Sequence, residues 1–574
     1  MGQSIHYELF KRVGAKGGWA LHDVLSSRER AIDLAQEMMK AEKATGVKVV
    51  KETYNDDTGD YLSLKIFEDG HNQVKIDPKQ EDVPHAIPCF KPHDLYSYHA
   101  RATMTRLLTD FLSRNKVTIT ELIHRADLLE KLEATGTVYQ HAIQKVAVAQ
   151  AASTTTPVQQ IVKSLNELTT KAAARVYRDQ RRGLFPELQA EQFDKLARKL
   201  AGQGDAHYIF NGALALHLAK ARGWDDKVHR LLTIMELAPA EEAPRKLVLG
   251  SVDAILAETL SGSAALHELM GAAENLGQAL RNLAELFLGK SCDSARAGLS
   301  ALAHHFAADT LPEAKTALGG RIVAELKANR RLCPDSMVDE LKALRGLANK
   351  IVMGVGRYLS HEDLVTAFTL RAKRLVTQET LTPYIADAAV DEKVERLLFV
   401  EDNIIGAENK RALAAFVLPL IGSAPFDNHF QNPKLPLLAR LQRLAQLQAR
   451  VLRSGFIEIS KAEIAEKLDA LACQVEARGK LFDSVEARTA GPVEKAQTLI
   501  RLAATGIFTE GKLAEAARAR ILGYLGKPGF LAGYAAATGK DGETPDAQAA
   551  MAELIATLGK VGITAETGLK SIAA

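Results

Sequence analysis

Aromatic side chains make up only 6% of this chain, and its 574 residues include 18 prolines and four cysteines. Each scarcity excludes something. Cys89, Cys292, Cys333 and Cys473 lie far apart and form no CxxC pair. That argues against a disulfide scaffold and suits a reducing cytoplasm. So few prolines leave long stretches free to be helical, because proline removes a backbone donor. Charge of one sign is not in excess either: 73 basic and 70 acidic residues leave +3. A dedicated nucleic-acid or anionic-membrane binder would need a local patch to offset that balance. No stretch approaches the roughly 18 apolar residues of a membrane span. The best short run, Leu413 to Ile421, contains Pro419. The opening residues MGQSIHYELFKRVG lack the charged, apolar, small-residue order of a signal peptide, so no secretory leader is expected.

What is present is ordinary globular material. Hydrophobic residues at 47% and charged residues at 25% rule out disorder as the main theme. Length alone suggests about three to four domains.

The first 77 residues read as strands around one helix. In residues 5–10, Ile5, Tyr7 and Leu9 face one way and His6, Glu8 and Phe10 the other. GAKGG at 14–18 reads as a hairpin turn, and Trp19, Leu21 and Asp23 continue a second strand. Ser26 and Glu29 have capping-box spacing ahead of Ile32, Ala35, Met38 and Met39, a helical set. Val47, Val49 and Tyr54, then Leu62, Leu64 and Ile66, supply two more strands across the turn-rich NDDTGD. The expectation is a ββαββ module over 1–77. One helix covers one face of such a sheet. The other, expected to carry Phe10, His22 and Tyr61, is polar or docks on something.

Residues 78–94 form a Pro/His-rich linker with Pro78, Pro84, Pro88 and Pro92. His85, Cys89, His93 and His99 gather there as weak metal candidates, at a spacing that matches no recognised zinc motif. No cofactor is expected.

Beyond the linker the text is helical, and a division near ANRRLCPDS (328–336) gives helical domains over 95–330 and 335–574. Glycines punctuate it as helix stops do. No fixed repeat period emerges, so the expectation is an irregular multi-helix body, bundle or solenoid-like. The fold class is therefore mainly α with a small N-terminal α+β module.

Motifs that carry chemistry fail on context. Gly289-Lys290-Ser291 ends like a phosphate-binding loop, but Ala284 stands where its first glycine belongs. Gly523 and Gly526 mimic a GxxG clamp in helical surroundings. His304 and His305 point about 100° apart on a helix and cannot share one ion as an i, i+4 pair does. Asp391, Glu392, Glu395, Glu401 and Asp402 form an acidic cluster interspersed with Lys393 and Arg396, which reads as a solvated face. Arg440, Arg443, Arg450 and Arg453 are the best binding candidates, since they share an arc of roughly 140° on one helix beside an apolar arc. The functional expectation is a cytoplasmic, non-enzymatic adaptor, scaffold or regulatory protein with a protein partner. Homo-oligomerisation and peripheral membrane association stay open, and nucleic acid is not expected. The alternatives are an all-helical metal-dependent hydrolase or phosphodiesterase, and a nucleic-acid or second-messenger binder using the basic helix face.

Overall fold

The computed structural model describes residues 5–13, 19–41, 44–55, 60–69, 87–152, 154–290, 297–538 and 547–564. Among them the chain is mainly α-helical, with 28 α-helices and one four-stranded antiparallel sheet near its start. The chain divides into two compact units, Met1–Pro88 with Lys145–Val162, and Cys89–Gln144 with Lys163–Ala574. Residues 328–336 lie inside the second unit.

The N-terminal elements are β1 (Ile5–Arg12), β2 (Ala20–Leu25), α1 (Arg28–Lys40), β3 (Gly46–Asn55) and β4 (Asp60–Asp69), in the sheet order β2-β1-β3-β4. The ββαββ order is the expected one. Ala31, Ala35 and Met38 of α1 lie on Leu9, Val47 and Val49, so the alternation in β1 sends Leu9 to the core. The small Ala31 and Ala35 let the helix approach the sheet closely. The cap is Ser27 rather than Ser26: its hydroxyl accepts the Arg30 N–H at 3.4 Å and donates to Glu29 at 3.0 Å. The hairpin turn at 14–18 and most of NDDTGD (56–59) lie outside the described residues.

In the second unit, Tyr98–Leu107 (α2), Thr109–Asn115 (α3) and Ile119–Leu122 (α4) follow a 3-10 turn at Pro92–Tyr96. The capping box at Thr118 and Glu121 is present: the Thr118 N–H donates to Glu121 at 2.9 Å and the Glu121 N–H to Thr118 at 3.3 Å. The helix Glu242–Ser261 packs along Pro312–Lys327 with Leu247, Val248, Val252, Ile255, Leu256 and Leu260 buried. Burying each such side chain contributes about 1.5–3 kcal/mol. No single helix is long and apolar enough to cross a membrane among the described residues. The bent pair Glu242–Ser261 and Ser263–Met270, broken by 90°, passes that test only jointly.

Candidate ligand groove

Helix periodicity builds a groove of about 930 Å³ in the second unit. Tyr98, Arg101, Ala102, Thr105 and Thr109 recur every three to four residues along α2 and into α3, and they form one wall. Ala254, Ala257, Glu258 and Ser261 of Glu242–Ser261 form the second. Thr316, Ala317, Gly320 and Arg321 of Pro312–Lys327 form the third. The space exists because alanine, serine and glycine stand where larger side chains would fill it. Gly319 makes the rim: a Cβ there would stand 2.8 Å from the Tyr358 carbonyl, so only glycine admits the segment carrying Arg357 and Tyr358. A Cβ on Gly320, by contrast, would meet nothing within 4 Å.

The charges are arranged unequally. Arg101, Arg106, Arg321 and Arg357 line the groove, against Glu258 and Glu313. Arg101 Nη1 donates to Glu258 Oε1 at 2.8 Å and to Thr120 Oγ1 at 3.1 Å. Glu258 also accepts the Thr120 hydroxyl at 2.8 Å and the Thr120 N–H at 3.0 Å. Burial holds the Glu258 carboxyl above its ordinary range, and Arg101 opposes that shift. Behind the groove, Asp253 accepts the N–H groups of Glu313 and Ala314 at 2.9 and 2.8 Å, capping Pro312–Lys327. Desolvation pushes Asp253 up to about 6. A further buried pair, Lys227 with Glu121 at 2.7 Å, ties the helix Trp224–Glu236 to α4. Such a groove can bind and orient an anion, with hydroxyls and guanidinium groups as donors and alanines as the apolar bed.

The residues singled out in the sequence lie elsewhere. Arg440 is buried and donates to the Phe430 carbonyl at 2.9 Å. Arg443 pairs with Asp391 at 2.8 Å and Glu395 at 2.7 Å, and Arg450 with Asp402 at 3.0 Å. Arg453 donates to the Ala449 carbonyl at 3.1 Å. The basic arc and the acidic cluster, read separately in the sequence, thus meet each other across two packed helices. On the sheet, Phe10 lies under the Lys48 ammonium at 4.6 Å, and Trp19 under Lys48 and Arg12 at 5.2 and 5.1 Å. His22 sits where the β1–β2 register shifts, and Tyr61 pairs in register with Tyr54. His85 lies outside the described residues, His93 and His99 are exposed, and burial raises the half-buried Cys89 thiol. No three His, Cys, Asp or Glu side chains gather to hold a metal among the described residues. Gly289 closes the helix Leu276–Phe287 at φ 71°, and Gly523 lies within the helix Lys512–Leu525.

Sequence reasoning missed the groove because its walls come from three distant segments. The available signal was Arg101, Thr105 and Thr109, a polar stripe at helical spacing. No family model, no curated protein and no solved structure matches the chain.

Proposed function

We propose that this chain is a cytoplasmic, non-enzymatic regulatory protein of the adaptor kind, and that its helical body takes a small anionic ligand in the arginine-lined groove. The observation that carries this reading is the groove itself: four arginines, of which Arg101 and Arg321 are paired with Glu258 and Glu325, line a space of ligand size together with small side chains. The protein-partner half of the reading leans on the sheet, where Leu21 and Val24 are half exposed on β2. Among the described residues no group of side chains favours the hydrolase alternative.

The test is calorimetric titration of the full chain with citrate, pyrophosphate and phenyl phosphate, repeated on Gly320→Leu, which projects a side chain into the open space. Saturable binding of at least one anion, lost in Gly320→Leu while the melting temperature holds, is the expected result. Absence of binding by all three anions, or binding indifferent to Gly320→Leu, overturns the reading.

A further inference from the structure

We infer that β2 is a self-pairing edge, and that the partner it fits is a second copy of this chain, laid antiparallel along it. The inference rests on the protein-partner half of the reading above and names that partner; the groove plays no part in it. Among the described residues β2 and β4 are the two edges of the sheet. They are built differently. β4 carries Asp60, Lys65, Glu68 and Asp69, charges of the kind that discourage edge pairing. β2, ALHDVL, has no lysine, arginine or proline, and Ala20 to Val24 are all exposed.

A bulge decides which side chains β2 offers. Leu21 pairs with Phe10 and Val24 with Glu8, while Asp23 pairs with Leu9, so His22 is an extra residue. Residues directly opposite each other share a face of the sheet. Leu21 and Val24 therefore both stand on the face of Phe10 and Glu8, away from α1. Without the bulge they would point to opposite faces. They are 52% and 50% exposed.

An ordinary extended peptide does not follow this edge in register, because the extra residue has no counterpart. A second β2 supplies one. With a two-fold axis between His22 and Asp23, the two bulges meet, Leu21 lies opposite the second copy's Val24, and Ala20 lies opposite its Leu25. His22 then stands beside the second copy's Asp23 carboxylate, so the charges complement each other. In any other antiparallel register the bulges miss each other and the apolar pair is broken. Within one chain Asp23 accepts the Val24 N–H at 2.8 Å, a bond that the second copy has to replace. A six-residue strand also buries less than the roughly 1,000 Å² of a lasting interface. The dimer is accordingly weak and reversible, and it forms as concentration rises.

The experiment is sedimentation equilibrium of the full chain from about 1 to 500 µM, the range suited to a small interface. Expected is a monomer–dimer equilibrium with its midpoint inside that range. Leu21→Lys and Val24→Glu change exposed positions and are expected to melt like the natural chain. Each weakens the dimer by roughly tenfold or more, because each breaks both apolar contacts of the symmetric pair. Mixed in equal amounts, the two variants recover a heterodimer. One contact is then Leu21 on Val24, as in the natural pair, and the other is lysine on glutamate. That recovery reads the register, and misfolding does not mimic it. A chain that stays monomeric up to the top of the range overturns the inference. So does a dimer indifferent to Leu21→Lys, or a mixture that associates no more tightly than either variant alone. In each of those cases the anion titration above still decides the groove, so the two halves of the reading fail separately.

Discussion

At the scale of single residues, the second unit is marked by ionisable groups held out of water. His124 is 1% exposed, sits among Tyr96, Phe185 and Tyr208, and shares a 2.7 Å hydrogen bond between Nδ1 and the Thr120 carbonyl. Burial lowers its pKa to about 4, so the ring is neutral in the native state near pH 7. In the unfolded chain the ring takes up a proton near pH 6.5. Its contribution to stability is therefore present above pH 6.5 and is lost as the pH falls towards 4, by about 3 kcal/mol in all. His124→Phe, which keeps the ring packing, is expected to flatten the fall in melting temperature across that window relative to the natural chain. An unchanged slope would remove His124 from the account of acid sensitivity. Asp253 works in the opposite sense: with its pKa raised to about 6, its favourable share is present at low pH and declines as pH rises through that value.

Between elements, the recurring device is a buried polar side chain of one helix that closes the end of another. Asp469 accepts the Thr509 hydroxyl at 2.6 Å and the N–H groups of Lys512 and Leu513 at 2.7 and 3.3 Å, opening the helix Lys512–Leu525. Arg371 closes Pro312–Lys327 at the other end, donating to the carbonyls of Glu325, Leu326, Ala328 and Arg330 at 2.8 to 3.1 Å. Removing that guanidinium takes a donor from four carbonyls, of which Ala328 keeps Arg374, and removes the cation 4.0 Å from the buried Glu340 carboxylate. Arg371→Met is expected to destabilise the fold by about 3–5 kcal/mol in denaturant titration. A loss within about 1 kcal/mol, as for an exposed ion pair, would show that the carbonyls find other partners. These devices explain how far the sequence could be read. Leu9, Ala35, Met38, Val47 and Val49 announced the sheet and its helix by local period alone. Asp253, Asp469 and Arg371 carried only a faint sign, a charge set among apolar neighbours such as Val252 and Leu468. Their partners lie 40 to 61 residues away, which periodicity cannot reach. The pairing of Arg443 was hidden for the same reason: its partners Asp391 and Glu395 belong to another helix, so the basic arc looked available when read alone.

For the whole molecule, this internal pairing decides what kind of anion the chain can hold. A duplex nucleic acid binds by releasing counterions along many phosphates, which requires an extended array of uncompensated cations. Here 73 basic residues face 70 acidic ones, and the strongest linear array, Arg443 and Arg450, is engaged by Asp391, Glu395 and Asp402. Arg396 is likewise held by Asp387 at 2.6 Å and Glu392 at 3.3 Å. Compensation of this kind leaves a balanced surface, while the groove between α2, Glu242–Ser261 and Pro312–Lys327, where Arg101 and Arg321 are themselves paired with Glu258 and Glu325, is a space that a duplex cannot enter. A small anion is thus expected to bind where a polyanion does not. Anisotropy of a labelled random duplex, read near physiological salt, should show no saturation below about 100 µM, the weak end of non-specific binding. The duplex should also fail to displace phenyl phosphate. Saturation at low micromolar duplex, falling steeply as salt is raised, would mean that the ion pairs between the two packed helices open to free their arginines, and the basic arc rather than the groove would then be the place to look for the ligand.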